Sequence, residues 1–420
     1  MRVLVVGAGG REHALVFQIA KSPLVEKVYC APGNPGTGRL AENVPLAAED
    51  VAGLCRFAQS SGIDLAVVGP EAPLVAGLAD RLSEAGVAVF GPSAAAARLE
   101  GSKAFAKEVM EAAGIPTASH RVFESLPEAV AHARQRDGRV VVKADGLAAG
   151  KGVVVCQTPE EAEAALRSIL VERVHGEAGR RVVVEERLEG PEASVIAITD
   201  GERLLVLPPA QDHKRIFDGD RGPNTGGMGA FCPTPHLPDA LLAEVERTVL
   251  VPTVREMARR GTPFRGALYA GLMLTPKGPK VLEFNARFGD PETQPILLRL
   301  TGDLVPALLG AARGRLGEAS LAFDRRASVG VVLAAEGYPG PVVKGDAIQG
   351  AEGPFGEGVE VFQAATVRAP DGSLHTAGGR VLTVCALGDG LEQAAARTYQ
   401  AASAIHFRGC QYRRDIGRAR

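Results

Sequence analysis

The sequence predicts an α/β protein in three parts: an N-terminal doubly wound parallel sheet over residues 1–100, a larger central unit over 101–322, and a small α+β unit over 323–420. Three observations carry this. In the first hundred residues, short apolar runs alternate with helical periodicity, and each run ends in a Gly/Pro-rich turn. From about 101 the spacing changes to neighbouring strands joined by glycine-rich connections. After about 320–328 strands outnumber helices, and one helical stretch closes the chain.

The elements follow in order. Residues 2–6 (RVLVV) read as a buried parallel strand, because both faces are apolar. A helix follows to Lys21, then a strand over Val25–Ala31, a helix near 49–61, a strand over 64–68, a helix over 72–85 and a short strand over 87–90. A helix over Ser102–Ala113 stops at Gly114 before Pro116. Strand–helix periodicity covers 119–136. Two apolar strands, 139–143 and 152–156, flank a glycine-rich link. A helix over 159–170 leads to strands at 181–186, 192–199 and 203–207. Residues 208–230 read as a long polar, Gly-rich loop, a length usually reserved for function. A helix over 239–260, strands over 266–274 and 279–285, and a Gly/Pro-punctuated stretch to 295 complete the centre. The tail holds strands at 328–335, 359–367 and 380–387 and a helix at 390–404.

Composition excludes several classes. Apolar residues are 46% of the chain, enough for packed cores and too many for a disordered one. Lys plus Arg (47) nearly balance Asp plus Glu (49), which argues against a dedicated nucleic-acid or membrane-surface binder. Tryptophan is absent and aromatics are 5%, so stacking platforms for single strands are not expected. The six cysteines form no CxxC pair and read as reduced thiols of a cytoplasmic protein. Arg11-Glu12-His13 breaks the first apolar run too early for a signal peptide, and no run approaches the length of a membrane span.

Several motifs carry chemistry. The first glycines do not complete G-x-G-x-x-G, since position 12 is Glu12, and the second strand ends in Ala31-Pro32-Gly33 with no acid for a ribose. A dinucleotide is therefore disfavoured. Such a turn either packs tightly or holds a smaller phosphate on backbone N–H groups. Three of them, GAGGRE, APGNPG and GPEAP, at one sheet edge point to a phosphorylated small molecule. Residues 143–152 are no P-loop: three residues rather than four separate Gly146 from Gly150, and Gly152 follows Lys151. A glycine-rich loop between strands can close over a triphosphate with Lys143 aimed at it, and equally can be a flexible hairpin tip. Glu185, Glu186, Leu188 and Glu192 lie where an extended segment could present a carbonyl, an N–H and carboxylates to a purine nucleoside. Acidic strand ends are also commonly just solvated. In 280–287, Glu283, Asn285 and Arg287 share one strand face, a set suited to Mg²⁺ bound jointly with phosphate oxygens. QDHKR (211–215) and GPNTGGMGA (222–230) have the composition of a loop that orders around a small polar substrate.

Taken together, the strand-flanked loop, the 185–188 segment and the E-x-N strand resemble the ATP-grasp superfamily. GAGGREHAL (7–15), APGNPGT (31–37), GPEAPL (69–74), KADGLAAGKGV (143–153), QDHKR, GPNTGGMGA and FNARFGDPETQ (284–294) resemble, in order and along the whole chain, the phosphoribosylamine–glycine ligase family. The resemblance implies a pre-ATP-grasp N-terminal domain, a central ATP-grasp fold with a lid subdomain at about 118–190, and the ligation of glycine to 5-phosphoribosylamine through a glycyl phosphate, with ATP and Mg²⁺ or Mn²⁺, in purine synthesis. The other acids the scaffold could use are formate and bicarbonate. It implies that Lys103, Lys143, Gly146, Gly150, Lys151 and Gly152 meet the ATP phosphates. Glu185, Glu186 and Leu188 then flank adenine, Glu192 takes the ribose, and Glu283 and Asn285 hold metal. Gly9, Gly10, Glu12 and Glu71 face phosphoribosylamine. Asp212, Asn224, Thr225, Gly226, Arg287 and Asp290 line the substrate junction, with Asp212, Arg287 and Lys143 catalytic, and Arg380 reaches toward the ribose phosphate. The family's further acidic metal ligand on the preceding strand is missing here, where Ala270-Gly271-Leu272-Met273 stands. The expected partners are small molecules only, on a monomer or weak homodimer.

Overall fold

A computed structural model describes residues 1–148 and 152–418. The N-terminal sheet is five-stranded and parallel, in the order Glu42–Asn43, Lys27–Pro32, Arg2–Gly7, Leu65–Val68, Ala88–Phe90. Val3 to Val6 are fully buried because helices cover both faces. The strand order reverses at Arg2–Gly7, so the carboxyl ends carrying Gly7, Pro32 and Gly69 open one crevice at the switch point. The expected helix over 72–85 is two, Glu71–Val75 and Leu78–Glu84, split at Gly77, whose φ of 84° a side chain rarely adopts.

Two antiparallel sheets form the centre. One runs His120–Phe123, Val182–Glu186, Val140–Ala144, Val153–Val155. It packs on helices Leu126–Arg134 and Pro159–Leu170 around its own core of Val140, Val142, Leu166 and Val184. The other runs Leu204–Val206, Glu192–Thr199, Gly266–Thr275, Gly278–Asn285.

The third sheet corrects the sequence reading. Its order is Gln211–Asp212, Gly229–Cys232, Ala327–Ala334, Arg380–Gly388, Val359–Gln363. Residues 208–230 are therefore not one loop: two pieces join the C-terminal sheet, and Arg215–Phe217 pairs with Arg221–Asn224 as a hairpin. The reason is burial. All four residues of Gly229–Cys232 are inside, and Met228 is core. The expected helix over 239–260 is broken by a π turn at Glu246–Leu250, just before Pro252, which lacks an N–H for the ladder. Helices Ala94–Gly101, Thr293–Leu298 and Val305–Ala312 were not expected. Among the described residues no helix is long and apolar enough to cross a membrane, and all six cysteines are free.

Candidate active site

A cleft of about 1300 Å³ runs between the two central sheets and opens toward the N-terminal crevice. Strand alternation builds its first wall. Val140, Val142 and Ala144 point into the small core, so Lys143 points the other way, and Val182 and Val184 leave Glu185 on the cleft face. Glu185 is 2% exposed and lies between two ammonium groups, Lys143 at 3.0 Å and Lys107 at 3.0 Å. Lys107 sits four residues after Lys103 on the helix Lys103–Ala112, hence on the same face. Burial pushes it down to about 8 despite Glu185. Lys143 Nζ also donates to the Leu282 carbonyl, 2.8 Å away on the opposite sheet. Lys103 Nζ donates to the Gly146 carbonyl at 3.0 Å. Gly152 lines the cleft, whereas Gly150 and Lys151 lie outside the described residues. Val141, Val155, Leu188, Met273 and Leu282 supply an apolar slot of the kind a purine needs. Glu186 accepts from the Ser119 N–H at 2.9 Å and pairs with Lys280 at 3.0 Å. Glu192 pairs with Lys214 at 2.9 Å, and Lys214 stands 3.7 Å from Glu283.

The facing strand carries the expected metal pair. Burial works to raise the Glu283 carboxyl, but Lys214, Lys143, Lys103 and Arg287 together hold it below the usual range, so it is ionised. The Asn285 amide is satisfied when its nitrogen donates to Glu100 Oε1 at 3.0 Å and to the Phe284 carbonyl. Its oxygen is then the atom left for a cation. Among the described residues no group of three or more His, Cys, Asp or Glu could hold a metal alone. A carboxylate plus an amide oxygen beside a phosphate-sized space fits Mg²⁺, which keeps water and phosphate ligands. Arg287 pairs with Glu71 of the N-terminal unit at 3.1 Å and with Glu100 at 3.2 Å. Burial pushes Glu100 up to about 7, against the pull of Arg287.

Beyond the metal strand the cleft meets the C-terminal unit. Arg380 donates to the carbonyls of Gly226 (2.6 Å) and Asp290 (2.8 Å) and pairs with the Asp290 carboxylate at 3.4 Å. Thr225 Oγ1 donates to the Lys214 carbonyl, and Asn224 lines the cleft beside it. Asp212 and Glu292 line the same end. The remaining expected residues lie at its edge. Glu12 is buried, its carboxylate accepting from the Gly9 N–H at 2.6 Å and from Arg11 at 2.5 Å. Gly10 packs against Gln294, and a Cβ on Gly9 would stand 3.4 Å from Asp290 Oδ2. None of Gly9, Gly10 or Glu12 lines the cleft, while Glu71 does. Sequence reasoning missed Lys107, Glu100, Lys214 and Glu292. Lys107 carried a readable signal in its i+4 spacing from Lys103, and Lys214 and Glu292 lie inside motifs the sequence reading singled out without giving them a role.

Two sheets clasping such a cleft, with lysines on one wall and a carboxylate–amide pair on the other, define an ATP-grasp enzyme. Comparison with known proteins narrows this. Family models described as phosphoribosylglycinamide synthetase match in series: the N domain over residues 1–100, the ATP-grasp (A) domain over 101–293 and the C domain over 328–419. A phosphoribosylamine–glycine ligase of Rhodopirellula baltica is 52% identical across 99% of this chain and 96% of its own length. One of Escherichia coli K12 is 50% identical over 99% and 98%. The crystal structure of the Thermotoga maritima phosphoribosylamine–glycine ligase superposes with a TM-score of 0.87 at 35% identity, covering 99% of this chain and all of that one. A Hydrogenobacter thermophilus biotin carboxylase domain shares the fold at 18% identity, with a TM-score of 0.74 over 98% of this chain and 91% of its own. The chain belongs to the phosphoribosylamine–glycine ligase family.

Proposed function

We propose that the cleft joins glycine to 5-phosphoribosylamine at the expense of ATP, giving glycinamide ribonucleotide, ADP and phosphate. Residues 1–100 face phosphoribosylamine, 101–322 form the ATP-grasp unit with a lid at about 118–190, and 323–420 close the far end. Adenine enters the apolar slot beside Glu185, Glu186 and Leu188, with Glu192 on the ribose. Lys103, Lys143 and the 146–152 loop take the phosphates, and Glu283 and Asn285 would hold Mg²⁺ or Mn²⁺. That metal, when bound, neutralises charge shared between phosphate oxygens.

Glycine's carboxylate attacks the γ-phosphorus as the bond to the β,γ-bridging oxygen breaks and ADP leaves; the amine of phosphoribosylamine then attacks the acyl carbon, losing a proton as phosphate leaves. Two anions must meet, so the chain's task is to supply cations and to align the reactants. Lys143 serves both ends, because it reaches from the lid sheet to the metal strand. Arg287, bridging Glu71 and Glu100, sits where the N-terminal crevice joins the cleft and orients the second substrate with Asp290 and Arg380. Gly9, Gly10 and Glu12 act through the shape of their turn, Glu71 by contact. Closure of the lid excludes water from the acyl phosphate.

The observation that carries this reading is the Lys143–Leu282 bond across the cleft, which brings the phosphate lysine beside the Glu283–Asn285 strand. Formate or bicarbonate as the acid is not favoured, since the whole-length relatives are glycine ligases. The enzyme works in the cytoplasm as a monomer or weak homodimer. The test is ADP release that requires glycine and phosphoribosylamine together; ADP release indifferent to glycine refutes it.

A further inference from the structure

Inside the cleft wall three charges lie in a row. Lys107 and Lys143 each stand 3.0 Å from Glu185, one at each carboxylate oxygen. Lys107 and Glu185 are both 2% exposed, and Lys143 is 5% exposed. Among the described residues no other cation pairs with Glu185. The two lysines are held differently. Lys107 rises from the helix Lys103–Ala112, whose Ala106, Val109 and Met110 belong to a hydrophobic core. Its Nζ donates to Thr117 Oγ1 at 2.7 Å, and Thr117 Oγ1 donates to the Val281 carbonyl at 2.7 Å. Lys107 is thus tied to the strand that carries Glu283. Lys143 stands on the lid sheet and donates across the cleft to the Leu282 carbonyl. Its charge also reaches Glu283 and helps to hold that carboxyl ionised.

We propose that Lys107 is a positioning residue for phosphoryl transfer: it keeps Glu185 neutralised while Lys143 turns from that carboxylate to the phosphates of ATP. The proposal rests on the reading of Lys143 as a phosphate lysine and names the group that lets it act as one. The balance of charge carries it. A carboxylate this deep is not readily left without a cation, because removing one partner of a buried pair strands the other charge in a poorly solvating interior. With Lys143 alone beside it, Glu185 would hold that lysine away from the nucleotide. With Lys107 on the other oxygen, Lys143 can leave, and its charge goes to the phosphates instead. The anchoring assigns the parts. Lys107 is fixed through Thr117 to the metal strand, so it stays; Lys143 faces the cleft between Glu185 and Glu283, so it moves. The two ammonium groups also repel each other across Glu185, and the departure of Lys143 toward phosphate relieves that repulsion.

The experiment measures, by calorimetry at saturating Mg²⁺, the affinities for β,γ-imido-ATP and for adenosine, and takes their ratio. Both ligands use the adenine slot and only the first carries phosphates, so the ratio isolates what the phosphates contribute. Lys143→Ala should lower it on the order of 10- to 100-fold, the worth of a charge-assisted hydrogen bond. Lys107→Met should lower it by a similar factor although Lys143 is still present, with adenosine affinity changed less than about twofold. Adding Glu185→Gln to Lys107→Met should bring the ratio back to within about threefold of the wild type, because a neutral amide neither needs Lys143 nor holds it. Lys107→Gln, which keeps a donor for Thr117 and loses the charge, carries the same test should Lys107→Met fail to fold. An unchanged ratio in the Lys107 variant, whether both ligands weaken equally or neither does, means packing alone and overturns the proposal. A ratio that stays low in Lys107→Met/Glu185→Gln means that Lys107 meets phosphate itself, and overturns it too. An unchanged ratio in Lys143→Ala instead overturns the phosphate role of Lys143 on which the proposal stands.

Discussion

Acidification should loosen the contact between the N- and C-terminal units through one buried histidine, His13. Its ring is 7% exposed, stands edge-on to Phe362 with centroids 5.6 Å apart, and accepts the Gln363 N–H at Nδ1 over 2.8 Å. That bond needs the lone pair a protonated ring lacks. Burial, and secondarily Arg39, push the imidazole down to about 4. The folded pKa lies below the unfolded one, so the contribution is complete above about pH 6.5 and is lost as pH falls toward about 4. Between about pH 7 and about pH 5 the loss comes to about 2 kcal/mol. Glu100, raised to about 7, works in the opposite sense, gaining stability as pH falls through that window. The clean measurement is therefore a difference. Urea unfolding of the wild type and of His13→Asn, at several pH values between about 7 and 5, should show the gap between them shrinking by about 2 kcal/mol as pH falls. Asparagine keeps an acceptor near Nδ1 and does not titrate. A gap that stays constant with pH refutes the argument.

Glu283→Gln should lower turnover on the order of 100- to 1000-fold while changing ADP affinity by less than about tenfold, because the lost charge matters most as the phosphoryl group moves; steady-state rates and calorimetry check this. Lys107→Met should destabilise the fold by about 3 kcal/mol, since it leaves Glu185 buried with one cation instead of two. Adding Glu185→Gln should recover part of that loss, read as a coupling energy in a double-mutant cycle by urea unfolding. Lys143→Ala should abolish glycine-dependent ADP release; unchanged turnover would remove its assigned role.

The strands that build the cleft were legible because their patterns are local. The run 192–199 matches its strand end to end, and alternation sets Glu283 and Asn285 on one face, whereas the strand ends at Asn285 and Arg287 lies beyond it. The pieces within 208–230 were not legible because their partners are distant: Gly229 pairs with Val331, and no periodicity within four residues announces it. Lys107 and Glu100 sit on short helices where a charge ordinarily means a solvated face, and burial comes only from elements far along the chain. Glu292 lay inside a recognised motif, yet the hydroxyls it meets, Ser194 directly and Tyr269 through Ser194, come from strands far from it in the chain.

The N-terminal motifs show why a motif's presence and its task are separate questions. Asn34 of APGNPG donates to the carbonyls of Ala8 and Gln363, both at 2.8 Å, and His13 of GAGGREH receives the Gln363 N–H. Read locally, the turns that carry these residues pointed to a phosphorylated small molecule held on backbone N–H groups. In the fold they tie the crevice of the first unit to the strand Val359–Gln363 of the last. A cleft bounded by three units needs such ties, because reactants held by separate bodies stay aligned only as well as the bodies do. In the proposed mechanism the alignment at Glu283 and Arg287 therefore depends in part on Asn34 and His13, whose hydrogen bonds join one unit to another; sequence alone gives such ties the same signal as ligand contacts.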